Sequence, residues 1–450
     1  MSLTTLRVHI TYRSDKTVYI TRSLLADLQL TVNKTLRISL GKRSLEAPIR
    51  ILRRTGNHLY LPASLQRQLL VPSAGACYAV RDGSGGLRIG PLIGLMTSSR
   101  PPGRRSTIRP YILAGHKKSF YCAFHPSDVN WSDETMSAYF ITSGGGWTKK
   151  TVPLPDVVYN RMGSRRSERL PSMEALKERF QRRGIPIFNW NFFDKSEVYA
   201  LLSGEPEAEQ HVPESITAPT YQQVKDMLSK YHLVYLKPTS GSLGRGIMRL
   251  TYKPKSGYYL RYRSNGHNTL LKFNRFAELR QAISRRTASL SRYVCQQGIR
   301  LIEIDRCPID FRFHLNKNRS DEWVVAGIGA KKAGRGSVTT HLRNGGKLLT
   351  PEQALTMAFG SRAGEILEKA KRESIKLAEV IERKSRHRVG EIGFDIGIDK
   401  NGMIWMFEAN AKPGRSIFKH PALKQQGKQS LRYIFEHCMY LSKFRSGSED

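Results

Sequence analysis

Apolar and polar positions alternate in short runs over the first ninety residues, with turn residues between them, a pattern that predicts short strands. Val18-Tyr19-Ile20 is followed by Ser23-Leu24 and Leu28, and forty-one positions later Leu59-Tyr60-Leu61 is followed by Ser64-Leu65 and Leu69. Four identities and two apolar exchanges at one offset indicate an internal duplication of strand, one-turn helix and strand, expected to close as a small pseudo-symmetric β-barrel. No catalytic constellation lies there, and a docking or folding module is the reading. From Leu92 the texture changes. Ile93–Met96, Ser119–Phe124, Ser137–Ile141 and Asp156–Tyr159 read as strands, and Met173–Arg182 as a helix, which together predict an open α/β sheet. From about Ile185 the pattern is α+β. Helices are expected at Lys195–Leu202, Tyr221–Tyr231, Ala363–Lys384 and Ser430–Phe444. Strands are expected at Leu233–Lys237 and Gly246–Tyr252, and Glu391–Ile398 with Met403–Glu408 reads as a hairpin turning at Asp399–Gly402. The expected division is 1–91, 92–190 and 191–450.

The chain has 450 residues, 39% of them hydrophobic and 25% charged, the balance of a globular protein with two or three domains. No apolar run reaches the length of a transmembrane helix, and the first residues lack a signal core, so a cytoplasmic location is expected. Five scattered cysteines without a CxxC pair exclude a zinc knuckle and a disulfide scaffold. The charge is unusual: 74 Lys and Arg against 37 Asp and Glu, a net +37 spread through every segment. Such a field attracts polyanions, namely nucleic acid, an acidic peptide or an anionic polymer. An Arg-rich background accounts for it equally well. No RNA-binding fingerprint accompanies it, so nucleic acid rests on charge alone.

Three constellations carry chemistry. In the first, strand Val234–Lys237 delivers a lysine to a loop of glycines and serines, Ser240-Gly241-Ser242-Leu243-Gly244-Arg245-Gly246. Glycines let consecutive backbone N–H groups converge on phosphate oxygens, and this is no Walker A motif. A plain Gly-Ser turn with a surface lysine is the alternative. In the second, Asp395 and Glu408 sit in apolar strands, with Asn410 on the same strand face as Glu408. Carboxylates at such positions need a cation, and an all-oxygen set suits Mg²⁺ held against phosphates; structural ion pairs with arginines are the alternative. In the third, Tyr293–Ile299 is a strand broken at Gly298, and Asp310 and Arg312 share a face downstream. Arg312 could steady a transferring phosphoryl group or simply form a cross-strand ion pair.

The order Lys195, Lys237, Gly-Ser loop, Gln296-Gln297-Gly298, Asp310-x-Arg312, Asp395, Glu408, Asn410 resembles the ATP-grasp superfamily. Phe188-Asn189, His211-Val212-Pro213-Glu214, Tyr235-Leu236-Lys237-Pro238, Gly241 to Ile247, Phe407-Glu408-Ala409-Asn410 and Pro155 to Arg161 are similar to the YheC/YheD-type ATP-grasp proteins, known as endospore coat-associated proteins of spore-forming bacteria. The likeness runs from about Ile93 to Phe418.

The resemblance implies an α+β ATP-grasp fold, two subdomains clamping ATP, preceded by an α/β pre-ATP-grasp domain and the barrel. It implies that Lys195 and Lys237 contact the α- and β-phosphates and that Ser240, Gly241, Ser242, Gly244 and Gly246 belong to a lid. Gln296, Gln297, Gly298 and Ile299 would line the adenine slot. Asp395, Glu408 and Asn410 would hold one or two Mg²⁺, and Arg312 would stabilise the phosphoryl group. Lys412 to Arg415 would face an anionic acceptor, so Lys237, Arg312 and Arg415 are the catalytic candidates. His341, where related enzymes often carry Asn, reads as a solvated loop residue. The implied reaction joins an unnamed carboxylate, as an acyl-phosphate, to an amine, with a peptide or anionic polymer among the candidate substrates. The alternative is a coat-associated structural protein that binds ATP without ligating anything.

Overall fold

The structure is a computed structural model that describes residues 2–31, 34–101, 107–239, 246–264, 267–334, 337 and 346–445, without the side chains of 195 and 196. Ser240, Gly241, Ser242 and Gly244 of the expected lid, His341 and the side chain of Lys195 therefore lie outside the described residues.

Seven strands at the N-terminus form a closed barrel. The duplication is its organising feature. Strands Val18–Thr21 and His58–Pro62 pair antiparallel with Tyr19 directly opposite Tyr60, and each runs into a short helix, Arg22–Asp27 or Ala63–Leu69. Leu24 and Leu65, and Leu28 and Leu69, are buried in equivalent places. The repeat extends further than the sequence pattern suggested: Arg13 donates to the Tyr19 hydroxyl at 2.6 Å, and Arg54, forty-one residues later, donates to that of Tyr60.

The barrel shares one hydrophobic core with the next layer. That layer is a seven-stranded sheet in which Leu92–Met96 lies centrally, parallel to Phe120–Phe124 on one side and Val157–Asn160 on the other. The sheet expected there is present, and Thr135–Ile141 also pairs with Trp147–Pro153, a strand the polar sequence Thr148-Lys149-Lys150-Thr151 had concealed.

Two six-stranded sheets follow. The first contains the order Ser215–Thr217, Tyr293–Gln297, Leu233–Pro238, Met248–Lys253, Gly257–Ser264 and His267–Phe273. The second contains Lys347–Leu349, Trp323–Lys332, Cys307–Lys317, Glu391–Ile398 and Ile404–Asn410, with Glu303–Ile304 beside Cys307–Lys317. The helix Ala363–Lys384 packs its Ile366, Ala370, Leu377 and Ile381 stripe into the core of the second sheet, as its 3.6-residue periodicity demands.

The last helix spans Lys424–Leu441 and not Ser430–Phe444. The helix runs through Gly427. In the fold a Cβ there would come 2.8 Å from that of Phe418, so glycine serves a close approach inside the helix. This helix packs on Arg109–Gly115 and on Cys307–Lys317, joining the final sheet to the second layer.

Candidate ATP-grasp site

The site lies where the two six-stranded sheets face each other. Lys237, next to last in its strand, donates to Oε1 of Gln296 on the neighbouring strand. Gln296 is buried, and its amide nitrogen donates to the Tyr199 hydroxyl at 2.7 Å and to Ser215 Oγ at 3.0 Å. Tyr199 in turn donates to the backbone carbonyl of Phe407 at 2.7 Å, crossing to the second sheet. The Lys237 ammonium sits 5.3 Å from the centre of the Phe407 ring, one residue from Glu408. Burial pushes the Tyr199 hydroxyl above its ordinary range, so it bridges as a neutral phenol.

The segment His211–Glu214 makes a second bridge. Met406 donates to the His211 carbonyl at 2.7 Å, while Gln297 donates to that of Glu214 at 2.8 Å. Gly298 follows, its N–H on the Leu233 carbonyl at 2.8 Å; a Cβ there would stand 2.3 Å from Leu233 Cγ. The strand break at Gly298 is therefore required by packing. Ile299 is half-buried just beyond it. Gly246 has φ +74, and a Cβ there would meet the Pro238 ring at 2.9 Å, so the chain at Gly246 lies tight against the strand that presents Lys237.

On the second sheet, Asp395 lies directly opposite Glu408, and Asn410 opposite Gly393. The register shifts between Asp395 and Ile396, leaving Phe407 as the extra residue of a bulge, a device that re-aims side chains at a strand edge. Arg312, cross-strand from Asp395, pairs with its Oδ1 at 3.1 Å, and Lys331 pairs with the same oxygen at 2.8 Å and with Asp310 at 3.4 Å. Burial disfavours the charged Lys331, but Asp310 and Asp395 overcome it and hold its pKa above the ordinary lysine range. Arg312 thus forms the cross-strand pair the sequence left open, with Asp395 as its partner. Lys331 was missed because a lysine ending an apolar strand carries no signal of its own.

The third group sits apart, behind the second sheet. Arg415 donates to Ser430 Oγ at 3.0 Å and to the Gly427 carbonyl at 2.6 Å, and stands 3.7 Å from Glu391. Glu391 is fully buried. It accepts from Tyr159 and from His314 Nε2 at 2.8 Å, and pairs with Arg161 at 3.4 Å. Burial alone would raise its pKa; Arg161, His314 and Arg415 bring it down to about 2. Asn189, at φ +55, donates to the Glu391 carbonyl at 2.7 Å and to that of Ala411, and accepts from the Gly390 N–H at 2.9 Å. One amide side chain thereby fixes both strands of the Asp395–Glu408 hairpin to the second layer. Lys412 pairs with Glu168 in the same interior, and burial lowers its amine to about 8 against the pull of that carboxylate.

The donor set Asp395, Glu408 and Asn410 is all oxygen, the preference of a hard divalent cation. Among the described residues no three His, Cys, Asp or Glu side chains form a metal cage. Mg²⁺ is commonly held by one or two carboxylates and completed by substrate phosphates. The residues present fit the group.

Two sheets joined through Tyr199 and His211–Glu214, with a lysine on one and paired carboxylates on the other, define an ATP-grasp domain. The profile of the YheC/D-like ATP-grasp family matches residues 184–441, and the chain belongs to that family. It is 33% identical to the endospore coat-associated protein YheD of Bacillus subtilis (strain 168), over 96% of this chain and 94% of that protein. It is 24% identical to the endospore coat-associated protein YheC of the same organism, over 71% and 88%. Among solved structures, the ATP-grasp ligase PsnB complexed with a phosphomimetic variant of its minimal precursor, Mg and ADP aligns over 77% of this chain and 98% of that chain, with 15% identity and TM-score 0.45. No helix among the described residues is long and apolar enough to cross a membrane.

Proposed function

We propose that this chain is an ATP- and Mg²⁺-dependent ligase that activates a carboxylate as an acyl-phosphate for attack by an amine. The observation that carries the reading is Lys237 poised over the Phe407 ring, one residue from Glu408 and across the cleft from its own sheet. A cation on one wall and an oxygen-donor cluster on the other is the arrangement a polyphosphate with its metal requires.

In this reading Lys237 and Lys195 bind the α- and β-phosphates, Gln296 to Ile299 line the adenine slot, and Ser240 to Gly246 close over the β- and γ-phosphates. Asp395, Glu408 and Asn410 hold Mg²⁺, which neutralises phosphate charge. The carboxylate substrate attacks the γ-phosphorus, the bond to the bridging oxygen breaks, and ADP leaves. The amine then attacks the acyl carbon, phosphate departs, and the amine proton passes to solvent. Arg312 offsets charge on the phosphoryl oxygens. No side-chain nucleophile is needed, since positioning and charge neutralisation supply the catalysis. Arg415 orders the turn after Asn410 through its bonds to Gly427 and Ser430.

Calorimetric titration of ATP with and without Mg²⁺, on wild type and Lys237→Ala, tests the clamp. Metal-dependent binding weakened about tenfold or more in the variant supports it; no binding by the wild type overturns it. The name carried by both relatives refers to the endospore coat and to no reaction, which favours a second reading, a coat-associated ATP-binding protein without ligase activity. ADP release stimulated by an acidic-peptide or amino-acid mixture separates the two.

A further inference from the structure

Away from the cleft, three parts of the molecule converge on one cavity of about 360 Å³. The hairpin turn at Gly41-Lys42 brings the barrel, Asp156 and Gly184 belong to the second layer, and Leu441 to Lys443 end the last helix. The turn is docked: Lys42 N–H donates to the Leu154 carbonyl at 3.0 Å, and a Cβ on Gly41 would lie 2.2 Å from that oxygen. Arg88 ties all three parts together, pairing with Asp156 at 2.8 Å and donating to the Ser442 carbonyl at 3.2 Å.

The lining is cationic beyond what its carboxylates neutralise. Arg37, Lys42, Arg43, Arg88 and Lys443 face only Asp82 and Asp156. Asp156 serves Arg88, and Asp82 accepts backbone bonds from Ser84 and Gly86. Among the described residues no carboxylate is ion-paired with Lys42, Arg43 or Lys443. Lys42 donates to the Gly184 carbonyl at 3.0 Å, and Arg43 to the carbonyls of Gln68 at 3.3 Å and Asp133 at 3.1 Å. Burial, with Arg88 and Lys443 nearby, draws Lys42 below its ordinary pKa despite the carboxylates of Asp156 and Glu134. A further observation points to a ligand. Ser39 is 8% exposed, lines the cavity, and its hydroxyl has no hydrogen-bond partner. Lys443, at φ +60, is the left-handed residue that stops the last helix, its N–H on the Tyr440 carbonyl at 3.0 Å and that of Phe444 on the Met439 carbonyl at 2.9 Å.

We propose that this junction cavity is a binding site for a small polyanion bearing two or more phosphate or carboxylate groups, held by Lys42, Arg43, Lys443 and the Ser39 hydroxyl. The volume suits a small metabolite. Such a ligand binds the barrel, the second layer and the C-terminal helix at once, and so stabilises their docking. The proposal is independent of the ATP reading.

The test is calorimetric titration of the full chain, in a Lys237→Ala background that weakens the nucleotide cleft, with pyrophosphate and separately with citrate. Saturable binding of pyrophosphate alone assigns a phosphate ligand, and binding of both assigns a general polyanion; each supports the site. Lys42→Ala and Lys443→Gly are each expected to weaken binding about tenfold, the worth of roughly one charge-assisted hydrogen bond. Lys443→Gly also relieves the backbone, so it is expected to melt no lower than its parent without ligand. A control, Lys255→Ala with Lys400→Ala, removes two exposed lysines outside the cavity and is expected to leave affinity unchanged. Silent titrations with both anions overturn the proposal, as does equal weakening by cavity and control variants.

Discussion

Arg161 and Glu391 meet at 3.4 Å inside the molecule, one from the end of a second-layer strand and the other from the first position of the hairpin that carries Asp395 and Glu408. With His314, Arg415 and Tyr159 around it, the Glu391 carboxylate is the pin that holds the candidate metal hairpin against the rest of the chain.

Glu391 gives a pH prediction. Its folded pKa is about 2, below the unfolded value of about 4.3. Its stabilisation is therefore complete above that unfolded value and is lost as pH falls from there toward 2. Glu391→Gln removes the charge and leaves Arg161 buried without its counter-ion, a loss of about 3–5 kcal/mol. Melting temperatures measured from neutral to acid pH should fall less steeply in the variant than in wild type. Parallel curves would remove Glu391 from this role.

Glu408→Ala should abolish ATP turnover and Mg²⁺-dependent nucleotide binding while leaving the circular dichroism spectrum and melting temperature near wild type, because Glu408 is only half-buried. Asn410→Asp preserves an oxygen donor and should retain partial Mg²⁺-dependent binding. Full turnover in folded Glu408→Ala would contradict the metal assignment.

Tyr199→Phe deletes the hydroxyl shared by Gln296 and the Phe407 carbonyl, leaving a buried amide donor with one partner fewer. A loss of about 1–3 kcal/mol is expected. The variant should also weaken ATP binding, since Gln296 positions Lys237. An unchanged affinity would show that Lys237 needs no such support.

Gly298→Ala forces a methyl group against Leu233, at 2.3 Å from its Cγ and 2.8 Å from its carbonyl oxygen. The backbone must shift at the strand end, at a cost of about 1–3 kcal/mol. Denaturant midpoints should show that loss, and the double variant Gly298→Ala with Leu233→Ala should recover part of it by removing the colliding side chain.

The barrel duplication predicts matched effects. Leu24 and Leu65 are buried in equivalent helices, so Leu24→Ala and Leu65→Ala should each cost about 2–5 kcal/mol in chemical denaturation. A large difference between them would mean that the two halves are symmetric in trace and unequal in packing.

The sequence alone determined much of this protein. Helices Lys195–Leu202, Tyr221–Tyr231 and Ala363–Lys384 and strand Glu391–Ile398 fall at the bounds read from the sequence: a Thr220–Gln223 capping box starts the second helix, the third buries one stripe, and the strand is an almost continuous apolar run. The duplication was legible as an offset, and its meaning as a two-fold barrel emerged when Tyr19 was found opposite Tyr60. Only the tertiary structure decided the rest. Tyr199, Lys331, Arg161 and Glu391 are ordinary residues in their local sequence; what sets them apart is partners that stand dozens or hundreds of positions away. The last helix begins six residues earlier than expected and takes in Gly427, where Phe418 packs in the place of a side chain. Local periodicity records which face of an element is buried. It does not record which other element buries it, and that pairing placed a lysine, two carboxylates and an unpaired cationic cavity where they stand.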